Sequence, residues 1–392
     1  MDISTFLCVS AVVALAVVLV YWWWAPSRRK LPPHVDEFVR RALVGVPAVV
    51  DVHMHLAGMQ KELTGCSLHP AAWSIRNPIT YLKTRLFCRA LGVKTWANSD
   101  AEVVNRLVDL VAGLQEYVEY KGVLLAFDAV YDRSGKRDDA RTSFEVPTDY
   151  VQRVVAEHPA YFIPSCSVHP YRKDAVEALH KYRAQGVKMV KWLPNSQFID
   201  PEDELCLPFY EALVALGMVL LCHVGDEHSV GVGGVVQAFG DPRRLRKALD
   251  MGVTVIMAHC GSRGLAEPEG RIPNFNIFVA MMEEKKYARN LYGDISAMSS
   301  AARASCLKKL LRFPRIHKRL FYGSDYPVPA IPILPLLLYH WWVGLITWEE
   351  RSLLSAVYAH NVLLFNLVFM RVVGGRTMGK NLGFSPTVGI LE

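Results

Sequence analysis

From residue 48 onward the chain repeats one pattern: a short apolar run, then a segment with apolar residues at helical spacing. Eight such runs occur: AVVDVHMHL (48–56), GVLLAFDAV (122–130), YFIPSCSVH (161–169), GVKMVKWL (186–193), MVLLCHV (218–224), VTVIMAHC (253–260), NLYGDIS (290–296) and RLFYGSDY (319–326). They are short, β-rich and mostly apolar on both faces, as befits strands of a parallel sheet covered on both sides. Between them lie segments such as DAVEALHKYRAQ (174–185), PFYEALVALG (208–217) and DPRRLRKALDMG (241–252). From the third run on, the strands recur about every 26 to 36 residues, the length of one βα unit. That rhythm predicts an α/β fold, a (β/α)8 TIM barrel. The composition, 52% hydrophobic over 392 residues, supplies the core such a domain needs. The first connection, 57–121, is longer than the others and reads as a long first-loop insertion, a candidate lid over the barrel mouth. The stretch SAVYAHNVLLFNLVFMRV (355–372) reads as one last outer helix.

The N-terminus obeys a different rule. Phe6 to Trp24 carries no charge and is about long enough to cross a bilayer. Tyr21 and Trp22 to Trp24 form an aromatic belt, followed by Arg28, Arg29 and Lys30. The start, Met1-Asp2, lacks the basic residues of a cleaved signal. The expectation is a single N-terminal transmembrane helix in residues 1–30, ahead of a catalytic domain in 31–392. The basic flank predicts that this domain is cytoplasmic and the protein single-pass. A second apolar stretch, Pro327 to Ile346, has four prolines in its first nine residues, which prevents a simple spanning helix. It reads either as a buried loop and helix closing the barrel or as a second contact with the membrane surface. The net charge of +7 is spread without a dense basic tract, so nucleic acid is not an expected partner. The eight cysteines stand singly, with no thiolate zinc pattern.

The reactive face of such a barrel is built at the C-terminal ends of its strands. Strand one ends in His53-x-His55, and residues two apart on a strand share a face, so both imidazoles point into the mouth. Strand four ends in Lys191, strand five in His223, strand six in His259 and strand eight in Asp325. Singly, His223 reads as a hydrogen-bonded core histidine and Asp325 as a turn cap before Pro327. Together, the four histidines and Asp325 on matching strand ends read as a site for a divalent metal, with Zn2+ the ion best suited to these donors. Lys191 either holds an anionic substrate or, with its pKa lowered by desolvation and nearby cations, takes up carbon dioxide as a carbamate that bridges two metals.

This set resembles the amidohydrolase superfamily, and the phrases VKWLP, MAHCGS and YGSDYP resemble its branch of TIM-barrel metal-dependent hydrolases, over about residues 45–370. The resemblance implies His53, His55 and Asp325 on one metal, His223 and His259 on a second, and a carboxylated Lys191 between them. It also implies that one ion or two are held, since some members keep a single metal and lack the lysine. The branch includes decarboxylases.

The expected activity is a membrane-anchored hydrolase of a small molecule, attacking an amide, ester or lactone carbonyl with a metal-generated hydroxide. Asp325 is the expected proton acceptor and then donor. The alternatives are a metal-dependent decarboxylase and a catalytically silent, membrane-tethered binding protein. Trp192 and Asn195 follow the fourth strand, Arg263 follows the sixth and His169 ends the third; these are the candidate substrate contacts, with Trp192 reading alternatively as wall packing, Arg263 as a cap of the following helix and His169 as a turn residue before Pro170. Asp226, Glu227 and His228 read either as residues that orient the ligands or as ordinary loop polar groups. Cys260, beside His259, points away from the metals by strand alternation.

Overall fold

The computed structural model describes residues 30–266, 272–331 and 336–378. Eight parallel strands form the barrel: β1 Ala48–His55, β2 Glu119–Leu125, β3 Phe162–Pro164, β4 Met189–Trp192, β5 Val219–His223, β6 Thr254–Ala258, β7 Leu291–Asp294 and β8 Leu320–Phe321. Each lies in one of the eight predicted runs or overlaps it. Pairing runs β1–β2–β3 and β4–β5–β6–β7–β8. Two seams close the ring. At the first, Cys166, just past β3, accepts from Lys191 N (2.8 Å) and donates to Met189 O (2.9 Å). At the second, Val52 N donates to Tyr322 O (3.0 Å), Asp325 N to His53 O (2.8 Å) and His55 N to Tyr326 O (2.9 Å). The last two bonds set the ends of β1 and β8 side by side.

Strand alternation sorts the apolar side chains into two layers. Val52, Val123, Leu125, Met189, Val219, Leu221, Ile256, Ala258 and Phe321 point inward and fill the barrel. Leu124, Val190, Leu220, Cys222, Val255 and Met257 point outward under the helices. The barrel is therefore a packed core, and its chemistry is confined to the mouth.

The long first connection does two jobs. Its helix Ser99–Leu114 buries Val103, Leu107, Leu110, Val111 and Leu114 and packs on β2 and on the last helix, as an ordinary barrel helix does. The earlier helix Pro78–Ala90 lies against Val328–Ala330, beyond the end of β8, and Lys83 Nζ donates across to His228 O (3.3 Å). Only this earlier part reaches the mouth. The stretch Pro327–Ile346 is likewise divided: His340, Leu345 and Ile346 are buried, whereas Leu336, Leu338, Trp341 and Trp342 are exposed, Trp342 by 73%. Among the described residues no helix is long and apolar enough to cross a membrane. The expected anchor, Phe6 to Trp24, lies outside the described residues.

The single final helix predicted over 355–372 is two, Trp348–His360 and Val362–Met378, parted at Asn361. Asn361 is extended, with φ −153° and ψ 117°. Its Oδ1 accepts from Leu363 N (3.0 Å) and Leu364 N (3.2 Å), and its Nδ2 donates to Leu110 O (2.8 Å). The side chain thus caps one helix and ties it to another, which the periodicity of apolar residues across the break conceals. Asn361→Ala is expected to lower stability by about 1–2 kcal/mol from loss of the cap and the buried bond, read as a shift of the urea midpoint with the slope unchanged.

Candidate metal centre

The end of β1 is held from below. Asp51 is buried, and its Oδ1 accepts from His53 N (3.0 Å) and Ser324 N (2.9 Å) while Oδ2 accepts from Tyr120 Oη (2.7 Å). This aligns β1, β2 and β8 beneath the mouth. Above it, His53 Nδ1 lies 2.8 Å from Asp294 Oδ2 at the end of β7. A carboxylate can only accept there, so the ring proton sits on Nδ1 and Nε2 carries the lone pair.

That lone pair faces a cluster. His55 Nε2 lies 3.2 Å from His53 Nε2, Lys191 Nζ 3.0 Å and Asp325 Oδ1 3.4 Å. Asp325 Oδ1 is also 3.4 Å from His55 Nε2. His259 packs against His53 with ring centroids 4.9 Å apart, and His223 against His259 at 5.0 Å. His53, His259 and Asp325 each present a ligand atom within 4.8 Å of the others. Among the described residues His223 Nε2 is buried without a hydrogen-bond partner, and Glu227 Oε2 lies 3.7 Å away. Converging nitrogen and oxygen donors and an orphaned imidazole nitrogen fit a divalent cation, the one partner able to take several lone pairs at once.

The electrostatics agree. Burial, together with the Lys191 charge, holds His53 down to about 4, and burial drives His223 and His259 well below the usual histidine range. All three rings are neutral at pH 7, as ligands must be. Burial also lowers Lys191. Burial works to raise Asp325, but the bond to His55, the adjacent His53 ring and the Arg303 charge outweigh it and hold the carboxyl at about 2.

The backbone is bent to aim these groups. His259 (φ 56°), Cys260 (φ 50°), Ala297 (φ 55°) and Asp325 (φ 60°) are four of the five non-glycine residues in the left-handed region among those described. Each such residue costs on the order of 1 kcal/mol or more, and such strain persists where surrounding bonds over-determine it. Cys260 turns away from the cluster, its Sγ donating to Asp294 O (3.0 Å).

A family model described as Amidohydrolase matches residues 50–342. The chain belongs to the amidohydrolase family. Solved structures similar to this amidohydrolase include an uncharacterised TIM-barrel protein from Bordetella bronchiseptica, at 15% identity over 82% of this chain and 99% of that one, with a TM-score of 0.48. A probable 2-pyrone-4,6-dicarboxylic acid hydrolase from Acinetobacter baumannii is 14% identical over 86% and 99% of the two chains, with a TM-score of 0.47. The 5-carboxyvanillate decarboxylase from Sphingomonas paucimobilis is 12% identical over 80% and 98%, with a TM-score of 0.43. No curated protein matched the sequence.

The six metal-site residues expected of this amidohydrolase, His53, His55, Lys191, His223, His259 and Asp325, converge at the mouth. The expected substrate contacts do not all join them. Trp192 is the outward neighbour of Lys191: it packs on Phe209 and Tyr210 at 5.0 and 5.9 Å, and its Nε1 donates to Val168 O (2.9 Å). It belongs to the barrel wall. His169 is fully used as a pin, Nδ1 accepting from Tyr171 N (3.2 Å) and Nε2 donating to Gln197 O (2.8 Å). Asn195 is buried, its Nδ2 donating to Gly225 O (3.1 Å) and Gln237 Oε1 (3.0 Å), and it shapes the loop after β5. The Arg263 side chain is exposed on the loop after His259. Of the three acidic-loop candidates, Glu227 is buried beside His223, and Ser229 N and Val230 N donate to its Oε1.

Asp294, Ser296 and Arg303 were not singled out from sequence. Asp294 Oδ1 accepts from His259 N (2.8 Å) and Ser296 N (3.0 Å), and Ser296 Oγ contacts His259 Nδ1 at 2.8 Å. The available signal was position: Asp294 ends the seventh strand as the other site residues end theirs. Asp294→Asn replaces an acceptor that holds the His53 tautomer. It is expected to weaken metal affinity roughly 10- to 100-fold while the fold persists, measured by competition with a chromogenic chelator.

Proposed function

We propose that this amidohydrolase is a zinc-dependent hydrolase of an amide, ester or lactone carbonyl in a small-molecule substrate. The observation that carries the reading is the convergence of His53 Nε2, His55 Nε2, Lys191 Nζ and Asp325 Oδ1 within 3.0–3.4 Å of His53 or of one another. His53, His55 and Asp325 would hold one ion, and His223 and His259 a second. Burial favours the neutral amine of Lys191. That amine could add to carbon dioxide and lose one proton, and the resulting carbamate would supply carboxylate-type oxygens as further metal donors. Ions held there supply Lewis acidity and make water acidic enough to furnish a nucleophile near neutral pH.

The chain's own residues do the rest. Asp294 orients His53, and Ser296 orients His259. Asp325, ionised at neutral pH, accepts the proton of the attacking water and returns it to the leaving group.

A second reading is supported by the compactness of His53, His259 and Asp325, a set that suits a single ion. One ion, with Lys191 as an unmodified amine beside the substrate, favours a decarboxylase. Elemental analysis separates the two. The hydrolase reading expects two metals per chain, falling to one or none in Lys191→Ala. One metal in both proteins favours the decarboxylase. Asp325→Asn is expected to keep substantial metal and lose turnover by orders of magnitude; wild-type turnover in that variant removes its proton-transfer role.

The membrane reading is also part of this proposal: Phe6 to Trp24 as a single anchor, Arg28, Arg29 and Lys30 keeping the barrel cytoplasmic. The exposed Leu336, Leu338, Trp341, Trp342 and Trp348 support a second contact with the bilayer surface. The full-length chain is expected to float with liposomes, and a form starting at residue 31 to float weakly, with Trp342→Ser reducing that remainder. No flotation of the shorter form removes the second contact.

A further inference from the structure

The long first connection contains one helix with almost no buried face. Helix Pro78–Ala90 buries only Cys88 and Ala90 along its 13 residues, whereas Ser99–Leu114 in the same connection buries eight. Ile79 is 72% exposed, and Tyr81, Leu82, Leu86 and Phe87 are only part-buried. The helix packs on the short turn Pro70–Trp73, and Ile75 between them is 81% exposed. Trp73 meets Trp96 edge-on at 4.9 Å, and Trp96 is itself 53% exposed. A surface helix ordinarily turns such a set toward its domain, so an apolar face left open marks a contact.

Charge decides what can cover it. Residues 63–99 carry Arg76, Lys83, Arg85, Arg89 and Lys94 and no acid. Of these, Arg76, Lys83, Arg85 and Lys94 are exposed. The acids that follow tie the connection together: Asp100 accepts from Met59 N (2.7 Å), and Glu102 from Lys94 N (2.6 Å) and Thr95 N (3.0 Å). Two copies of this surface meeting about a two-fold axis would set positive charge against positive charge. Exposed Trp and Ile among Lys and Arg instead match acyl chains lying beneath anionic phosphate groups. The helix is also fastened to the loops of the candidate metal centre. Tyr326 Oη, next to Asp325, donates to Ala90 O (3.0 Å), and Lys83 Nζ donates to His228 O on the loop after β5 (3.3 Å).

We infer that helix Pro78–Ala90, together with Trp73, Ile75 and Trp96, is a docking surface for an anionic bilayer, and that it sets the rim of the barrel mouth against the headgroup layer. The surface is separate from the contact proposed at Leu336–Trp348, and it rests on the proposed N-terminal anchor only for keeping a bilayer near. Ile75 and Ile79 enter the acyl boundary, while Arg76, Arg85 and Lys94 stay at phosphate depth. Because the helix is tied to Tyr326 and His228, docking leaves the mouth opening beside the lipid surface.

The test is lysine footprinting of the full-length chain with a membrane-impermeant acetylating reagent, read by mass spectrometry, in vesicles of phosphatidylcholine alone and of phosphatidylcholine with phosphatidylserine. Lys83 and Lys94 are expected to lose reactivity roughly fivefold on the anionic vesicles, the weight of about one basic contact with such a surface, and to regain it in high salt. Lys285, exposed ahead of β7 at the end of the barrel opposite the mouth, is expected to react equally on both. Ile79→Ser combined with Arg85→Gln, both at exposed positions, is expected to cancel the protection, and Trp342→Ser to leave it in place. Equal labelling of Lys83 and Lys94 on the two vesicles overturns the surface, as does protection that survives in the folded double variant or is shared by Lys285. Loss of the protection in Trp342→Ser assigns it to the other contact and overturns this one. Protection without lipid that grows with protein concentration assigns the face to a second copy and overturns the bilayer. A full-length chain that fails to float on neutral vesicles refutes the anchor alone, and labelling with anionic vesicles in excess then still decides this surface.

Discussion

Asp294 is the buried charge on which the site is assembled. It has no water to turn to, so its two oxygens must be satisfied by protein, and they draw His53 Nδ1, His259 N and Ser296 N onto one carboxylate. Burial works to raise its pKa, yet the adjacent His53 ring and these bonds hold it below the usual carboxylate range. One acid therefore joins the ends of β1, β6 and β7. Because it can only accept, it also dictates the tautomer of His53 and turns a lone pair into the mouth.

The rest of the site follows from where a closed barrel places its strand ends. The bond from Asp325 N to His53 O sets the last ligand beside the first, although 272 residues separate them in the chain. The interior is filled by apolar side chains, so polar groups gather in one layer at the top. Burial there keeps His53, His223 and His259 neutral, while hydrogen bonds and neighbouring groups keep Asp294 and Asp325 ionised against it. The left-handed backbone at His259 and Asp325 is the conformational cost of pointing both side chains at one place.

The barrel was legible in the sequence because strand and helix periods alternate over many units, and each apolar run could belong only to a doubly covered sheet. The ligand set was legible because imidazoles at the ends of apolar strands have few other uses. What the sequence concealed depends on single-residue offsets and on contacts distant in the chain. Trp192 sits one position after an inward lysine, and that single step sends it into the wall. His169 lies at the correct height but spends both ring nitrogens on neighbouring loops, and Asn195 spends its Nδ2 there. Asp294 looks like one more strand-end carboxylate until its partner, 241 residues earlier, is in view. Arg303 lies in a turn whose composition says nothing of burial. The apolar pattern across 355–372 runs through a break that only Asn361's three bonds explain.

The central claim is that the cluster around His53 is a metal centre, and anomalous X-ray diffraction at the zinc edge from zinc-grown crystals tests it most directly. The account predicts an anomalous peak about 2 Å from His53 Nε2 and from Asp325, and a second near His223 and His259 if two ions are held. Crystals with no peak at the mouth, and with the histidines hydrogen-bonded among themselves and to water, would contradict it.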